Sequence, residues 1–64
     1  MDRHGRRLLG VAHAVLPDRQ ASEEVVQDVF WDAHQAMAAG HAITPAWLFR
    51  ATVWRAQDAK RRAH

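Results

Sequence analysis

Residues 21–37 read A-S-E-E-V-V-Q-D-V-F-W-D-A-H-Q-A-M. At about 100° per residue, Val25, Val26, Val29, Ala33, Ala36 and Met37 fall on one face, the i, i+3/i+4, i+7 recurrence of an amphipathic helix. Ser22 stands where a side-chain oxygen can cap the helix start. Glu23 and Glu24 then occupy the first turn, where the positive end of the helix dipole favours carboxylates. Beside the core face runs a second stripe of Glu23, Gln27, Phe30 and His34, and Trp31 points nearly opposite the core. A lone helix cannot bury both Phe30 and Trp31 on one side, so the stretch predicts a partner.

Toward the N-terminus, Leu8, Leu9, Ala12, Val15 and Leu16 form a helical stripe, which predicts a first helix over residues 6–16. Gly5 and Gly10 weaken it, each by up to ~1 kcal/mol relative to alanine. Pro17 closes it, because the residue before a proline is pushed away from helical geometry. Residues 18–21 are then a short turn, and so short a connection makes the two helices antiparallel neighbours. Beyond Met37 the periodicity is lost. Gly40 suits a C-terminal cap, and Thr44 followed by Pro45 suits the start of a third helix over residues 46–62. The loop 41–44 between them is expected to be exposed and free to contact something. In the third helix Trp47, Leu48, Ala51, Thr52 and Ala59 can face a core, with Trp47 read as packing. Arg55 falls on the same face and must snorkel outward, whereas Phe49 and Val53 fall on the side away from it. With no strand pattern, repeat or low-complexity tract, the fold reads as all-α: a small three-helix bundle forming a single domain over 1–64.

Sixty-four residues allow one domain, which buries only ~60% of the surface its unfolded chain exposes, so its core is marginal. A composition 48% apolar and 25% charged is globular rather than disordered. Cysteine is absent, which excludes a disulfide framework, a thiolate metal site and a cysteine nucleophile, and fits a reducing cytoplasm. No apolar run approaches the ~18 residues that span a bilayer, and M-D-R-H-G-R-R at the start lacks the apolar segment of a secretion signal. The expectation is a soluble cytoplasmic protein with no membrane partner. His4, His13, His34, His41 and His64 form no H-x-x-x-H or H-E-x-x-H pair, so no metal is expected. The acidic pairs of the central helix have no histidine partner or glycine loop, so neither enzyme activity nor a cofactor is expected.

Net charge is only +2, but Asp18, Glu23, Glu24, Asp28 and Asp32 make the middle acidic, while the ends are basic. Arg3, Arg6 and Arg7 lie in front, and Arg50, Arg55, Lys60, Arg61 and Arg62 behind. Such polarity suits two different partners, one of them a polyanion. On charge alone, solvated helix faces are the simpler account.

Four stretches resemble region 2 of the extracytoplasmic-function sigma factors of the sigma-70 family: L-L-G-V-A-H-A-V-L-P-D (8–18), S-E-E-V-V-Q-D-V-F (22–30), W-L-F-R (47–50) and D-A-K-R-R (58–62). They cover about residues 6–62 in the family's order and spacing, with the loop before Trp47 slightly short. The resemblance implies a promoter-recognition module whose central helix docks on the clamp coiled coil of the RNA polymerase β′ subunit. By position, the docking residues are Glu23, Glu24, Gln27, Asp28, Phe30 and His34. It also implies that the third helix binds the minus-ten promoter element and holds the non-template single strand. The DNA-facing positions are Arg50, Val53, Trp54, Gln57, Asp58 and Arg61, with Lys60 and Arg62 close by, and residues 40–44 correspond to the segment that receives a flipped base. Arg50, Lys60, Arg61 and Arg62 suit phosphate contact.

The chain departs from the family where W-L-Y-R-I-A-R-N is usual and W-L-F-R-A-T-V-W stands at residues 47–54. Val53 and Trp54 replace an arginine and an asparagine, and Arg55 stands where an aliphatic residue is customary. Either Trp54 stacks on a base, or this face binds protein instead. The second sigma domain of the family, which recognises the minus-thirty-five element, is not in this sequence, and three accounts stand: a piece of a longer factor, a split system with a separate second sigma domain as partner, or a degenerate module that binds polymerase or a regulator such as an anti-sigma factor. The alternative reading is a degenerate sigma-like module for protein interaction or oligomerisation, using Trp31, Phe49, Val53 and Trp54.

Overall fold

The computed structural model describes residues 3–62, with side chains over residues 5–62. The side chains of Arg3, His4 and His64, which entered the charge and metal readings, lie outside the described residues. Three helices follow one another, α1 (Arg3–Val15), α2 (Arg19–Ala38) and α3 (Pro45–Arg62), with no strand among the described residues.

Helix boundaries follow from local chemistry. α1 stops just ahead of Pro17, with the Leu16 N–H still donating to the Ala12 carbonyl at 2.8 Å. The cap of α2 corrects the expectation for Ser22. Asp18 is the cap: its backbone is extended (φ −90°, ψ 122°) and its carboxylate accepts from the Gln20 N–H at 3.1 Å. Asp18 directly follows the proline that ends α1 and takes the free N–H groups first, which lengthens α2 by a turn. Ser22 is therefore inside the helix, fully buried, and its hydroxyl donates to the Asp18 carbonyl at 3.1 Å. Glu23 and Glu24 consequently leave the first turn, and Glu23 pairs instead with Arg19 at 3.3 Å.

At the other end of α2, the Gly40 N–H donates to the Met37 carbonyl (3.0 Å) and the His41 N–H to the Ala36 carbonyl (2.9 Å), the Schellman pattern, with Gly40 at φ 94°. No atom would touch a Cβ on Gly40, so Gly40→Ala tests the backbone alone. It is expected to cost about 1 kcal/mol in urea unfolding followed by tryptophan fluorescence, with Gly40→Asn recovering part of the loss. The Thr44 hydroxyl caps α3, accepting from the Trp47 N–H at 3.1 Å, and Pro45 takes the first helical position, as the sequence predicts.

Leu9 shares a cleft with Val26, and His13 Nδ1 lies 3.4 Å from Ser22 Oγ, so α1 and α2 run antiparallel. Leu48 meets Ala33 and Met37 while Arg55 meets Asp28 and Asp32, so α3 is antiparallel to α2 and parallel to α1. Every pair of helices is in contact. Leu8 and Ala12 of α1, Leu16 just beyond its end, Val25, Val26, Val29 and Ala33 of α2, and Ala56 of α3 form the core. Ala56, which the helical pattern left unassigned, is fully buried one turn beyond the equally buried Thr52. The Thr52 hydroxyl donates to the Leu48 carbonyl at 2.8 Å, so this polar group needs no partner from another helix. Met37 departs from the expected core face and is 55% exposed. The chain leaves α2 at Gly40, so only the edge formed by Ile43, Pro45 and Leu48 reaches its last turn.

Arg55 does not merely snorkel. Its Nε and Nη2 both contact Asp32 Oδ2 at 2.6 Å, and its Nη1 lies 3.7 Å from Asp28 Oδ2, which ties α3 to α2. The two tightly paired side chains are 30% and 32% exposed, so solvent screens only part of this attraction. Arg55→Ala is expected to destabilise the bundle by about 1 kcal/mol, because it strands Asp32 in a half-buried site. Arg19→Ala, which removes an exposed pair, should leave the urea midpoint unchanged.

Candidate interaction surfaces

Two outward surfaces emerge from this packing. On α2, Glu23, Gln27 and His34 are exposed along the flank turned toward α1, with half-buried Phe30 among them. Glu23 and Gln27 border a cleft whose other wall carries Arg6 and Leu9. Phe30 packs against the core yet opens onto a second cleft with Met37 and Leu48, so its ring is anchored at one edge and reachable at the other. Trp31 is exposed and stacks on His34, with ring centroids 6.1 Å apart and planes 22° from parallel.

The six residues expected to dock together do not share one flank. Asp28 lies about 100° around α2 from Gln27, on the side facing α3, where Arg55 holds it together with Asp32. Glu24 lies on the outer face near Trp31. Glu23, Gln27, Phe30 and His34 remain as a continuous strip. The Asp32–Arg55 link is the feature that sequence reasoning missed, because residues this far apart leave no local signal.

On α3, Arg50, Trp54, Gln57 and Arg61 recur at i, i+4, i+7 and i+11 and are all exposed, on the side opposite Thr52 and Ala56. Trp54 is 61% exposed, so its ring is presented to solvent rather than packed. Lys60 and Arg62 flank this stripe. The basic end carries its own counter-ion: Arg62 donates from Nε (3.1 Å) and Nη2 (2.6 Å) to Asp58 Oδ2, and Arg61 lies 3.7 Å from the other oxygen. That i, i+3 and i, i+4 spacing was legible in the sequence. In the loop, His41, Ala42 and Thr44 are exposed and Ile43 is half-buried. Among the described residues no group of three or more His, Asp or Glu is placed to hold a metal ion, and no helix is long and apolar enough to cross a membrane.

A strip of carboxylate, amide and aromatic groups on one helix, and a cationic stripe with an exposed indole on the next, give a small helical module with two separate outward surfaces. The family model of Sigma-70 region 2 matches residues 1–64. The chain belongs to the sigma-70 region 2 family, a non-enzymatic domain of transcription initiation whose members work with RNA polymerase and promoter DNA. No curated protein and no solved structure matches it.

Proposed function

We propose that this chain is a region 2 module of the extracytoplasmic-function type, docking on the β′ clamp coiled coil through α2 and holding the non-template strand of the minus-ten element on α3. The observation that carries the docking half is the open strip of Glu23, Gln27, Phe30 and His34, which the bundle leaves uncovered. The Glu23 carboxylate there, with Glu24 at its border, meets arginines of a coiled coil, and Phe30 supplies an apolar anchor already fixed at one edge by the core. Glu24 borders the strip, while Asp28 is exposed on the other flank, 3.7 Å from Arg55. On α3, Arg50, Lys60, Arg61 and Arg62 contact phosphates, Trp54 stacks on a base, and Gln57 supplies an amide between them.

Purified β′ clamp fragment should be retained by the immobilised chain, and a labelled minus-ten strand should bind it with an affinity that falls steeply with salt. Failure of both removes the reading. Asp58→Asn sharpens the test of the DNA half. Released from their internal carboxylate, Arg61 and Arg62 should raise single-strand affinity on the order of fivefold and steepen the salt slope by about 1. Fluorescence anisotropy across a salt series measures both.

The exposure of Trp31, Met37, Phe49 and Trp54 supports a second reading, a protein-interaction or oligomerisation module that does not read DNA. It requires self-association or capture of a helical partner that Trp54→Arg abolishes, together with no binding to nucleic acid. Sedimentation of wild type and Trp54→Arg separates the two.

A further inference from the structure

The cations of the described residues divide into two groups. Arg19, Arg55, Arg61 and Arg62 each pair with a carboxylate. Arg6, Arg7, Arg50 and Lys60 have no such pair among the described residues, and all four are exposed. Because α1 and α3 run side by side in the same direction, Arg7 reaches the cleft between them, opposite Pro45 and Phe49, with Leu8, Val11 and Leu48 also lining it. Among the described residues, none that lines this cleft is acidic. Phe49 is 52% exposed, unusually open for a phenylalanine between two packed helices. Around α3, Arg50 lies about 100° from Phe49 and about 40° from Trp54, so ring, guanidinium and ring follow one another from the outward stripe to the cleft.

We propose that the α1–α3 cleft carries single-stranded nucleic acid off the α3 stripe and onto α1, with Arg7 contacting a phosphate and Phe49 stacking on a base. This rests on the reading of α3 as a single-strand surface and extends it to a second helix. Alternating rings and unpaired cations are what a stacked strand with a charged backbone requires, and neither contact selects a base. The contribution is therefore affinity rather than sequence choice. A cleft meant for an acidic protein helix would share the cationic rim, but would have no need of continuity with Arg50 and Trp54.

The test uses the full chain, labelled single strands of about six and about twelve nucleotides, and anisotropy at several salt concentrations. The longer strand should bind more tightly. Arg7→Ala should weaken the longer strand about fivefold to tenfold, lower its salt slope by about 1, and leave the shorter strand nearly unchanged. Arg7→Lys should retain most of the affinity. Phe49→Ala should also weaken the longer strand several-fold, and Phe49→Trp should restore it, which separates stacking from loss of packing. Arg50→Ala should weaken both strands.

If Arg7→Ala and Phe49→Ala match wild type on the longer strand while Arg50→Ala weakens both, the cleft proposal is overturned and the α3 reading stands. If wild type binds neither strand, both fall together. If the Arg7 and Phe49 variants keep their DNA affinity but lose binding to an acidic helical peptide, the cleft belongs to a protein and the proposal is wrong.

Discussion

Val29→Asp is expected to leave the chain unfolded at 25 °C, with the helical far-ultraviolet circular dichroism signal largely lost. Val29 is fully buried in α2, which packs against both other helices as each of them does. A chain of 64 residues has roughly 3–10 kcal/mol of stability in all. An unpaired buried carboxylate costs several kcal/mol, and the lost apolar burial adds about 2 kcal/mol, so the sum reaches the whole margin. Relief from nearby polar groups is not at hand, because the buried hydroxyls of Ser22 and Thr52 already donate to backbone carbonyls. Gln27→Asp, two residues away on the exposed flank, should fold normally. A folded Val29→Asp protein would mean that α2 buries a different face.

Gln27→Ala combined with Phe30→Ala should reduce affinity for the β′ clamp fragment on the order of 100-fold, the loss typical of removing a central anchor and its polar neighbour. Phe30 also touches the core, so the double variant loses some stability. Gln27→Arg changes an exposed residue only, and should impair docking by placing a cation against the arginines of the coiled coil while leaving the urea midpoint in place. Asp28→Ala gives the contrasting result. With its carboxylate on the flank of Arg55, its removal should change clamp affinity less than threefold, and because Asp28 is exposed and the contact 3.7 Å long the urea midpoint should barely move. A large docking loss for Asp28→Ala with none for Gln27→Arg would place the contact on the wrong flank of α2. Isothermal titration on folded variants reads each case.

The three helices were legible because their buried residues repeat at helical spacing, and because Gly40, Thr44 and Pro45 carry unambiguous terminal chemistry. The start of α2 was not, since Asp18 and Ser22 are both good caps and the choice between them depends on where Pro17 ends α1. Met37 misled for a related reason: periodicity shows which side of a helix is apolar, but not where the covering helix stops. The same limit hid Ala56, small enough to sit at the closest approach of the helices but weak as a hydrophobic signal. The strip of Glu23, Gln27, Phe30 and His34 could be drawn from spacing alone. The same spacing sets Asp28 about 100° away from it, but that Arg55 stands beside Asp28 could not be read, because that approach depends on tertiary packing. What the strip binds came from the resemblance, and the Sigma-70 region 2 match supports that reading at the level of the family.

The most direct measurement places a photoreactive phenylalanine derivative at His34 in one preparation and at Trp54 in another, and irradiates each with core polymerase and promoter DNA. Transfer to β′ from the first position and to the non-template strand from the second is the predicted outcome. Labelling of DNA from residue 34, or of one and the same protein from both positions, would contradict a module with two faces and two partners.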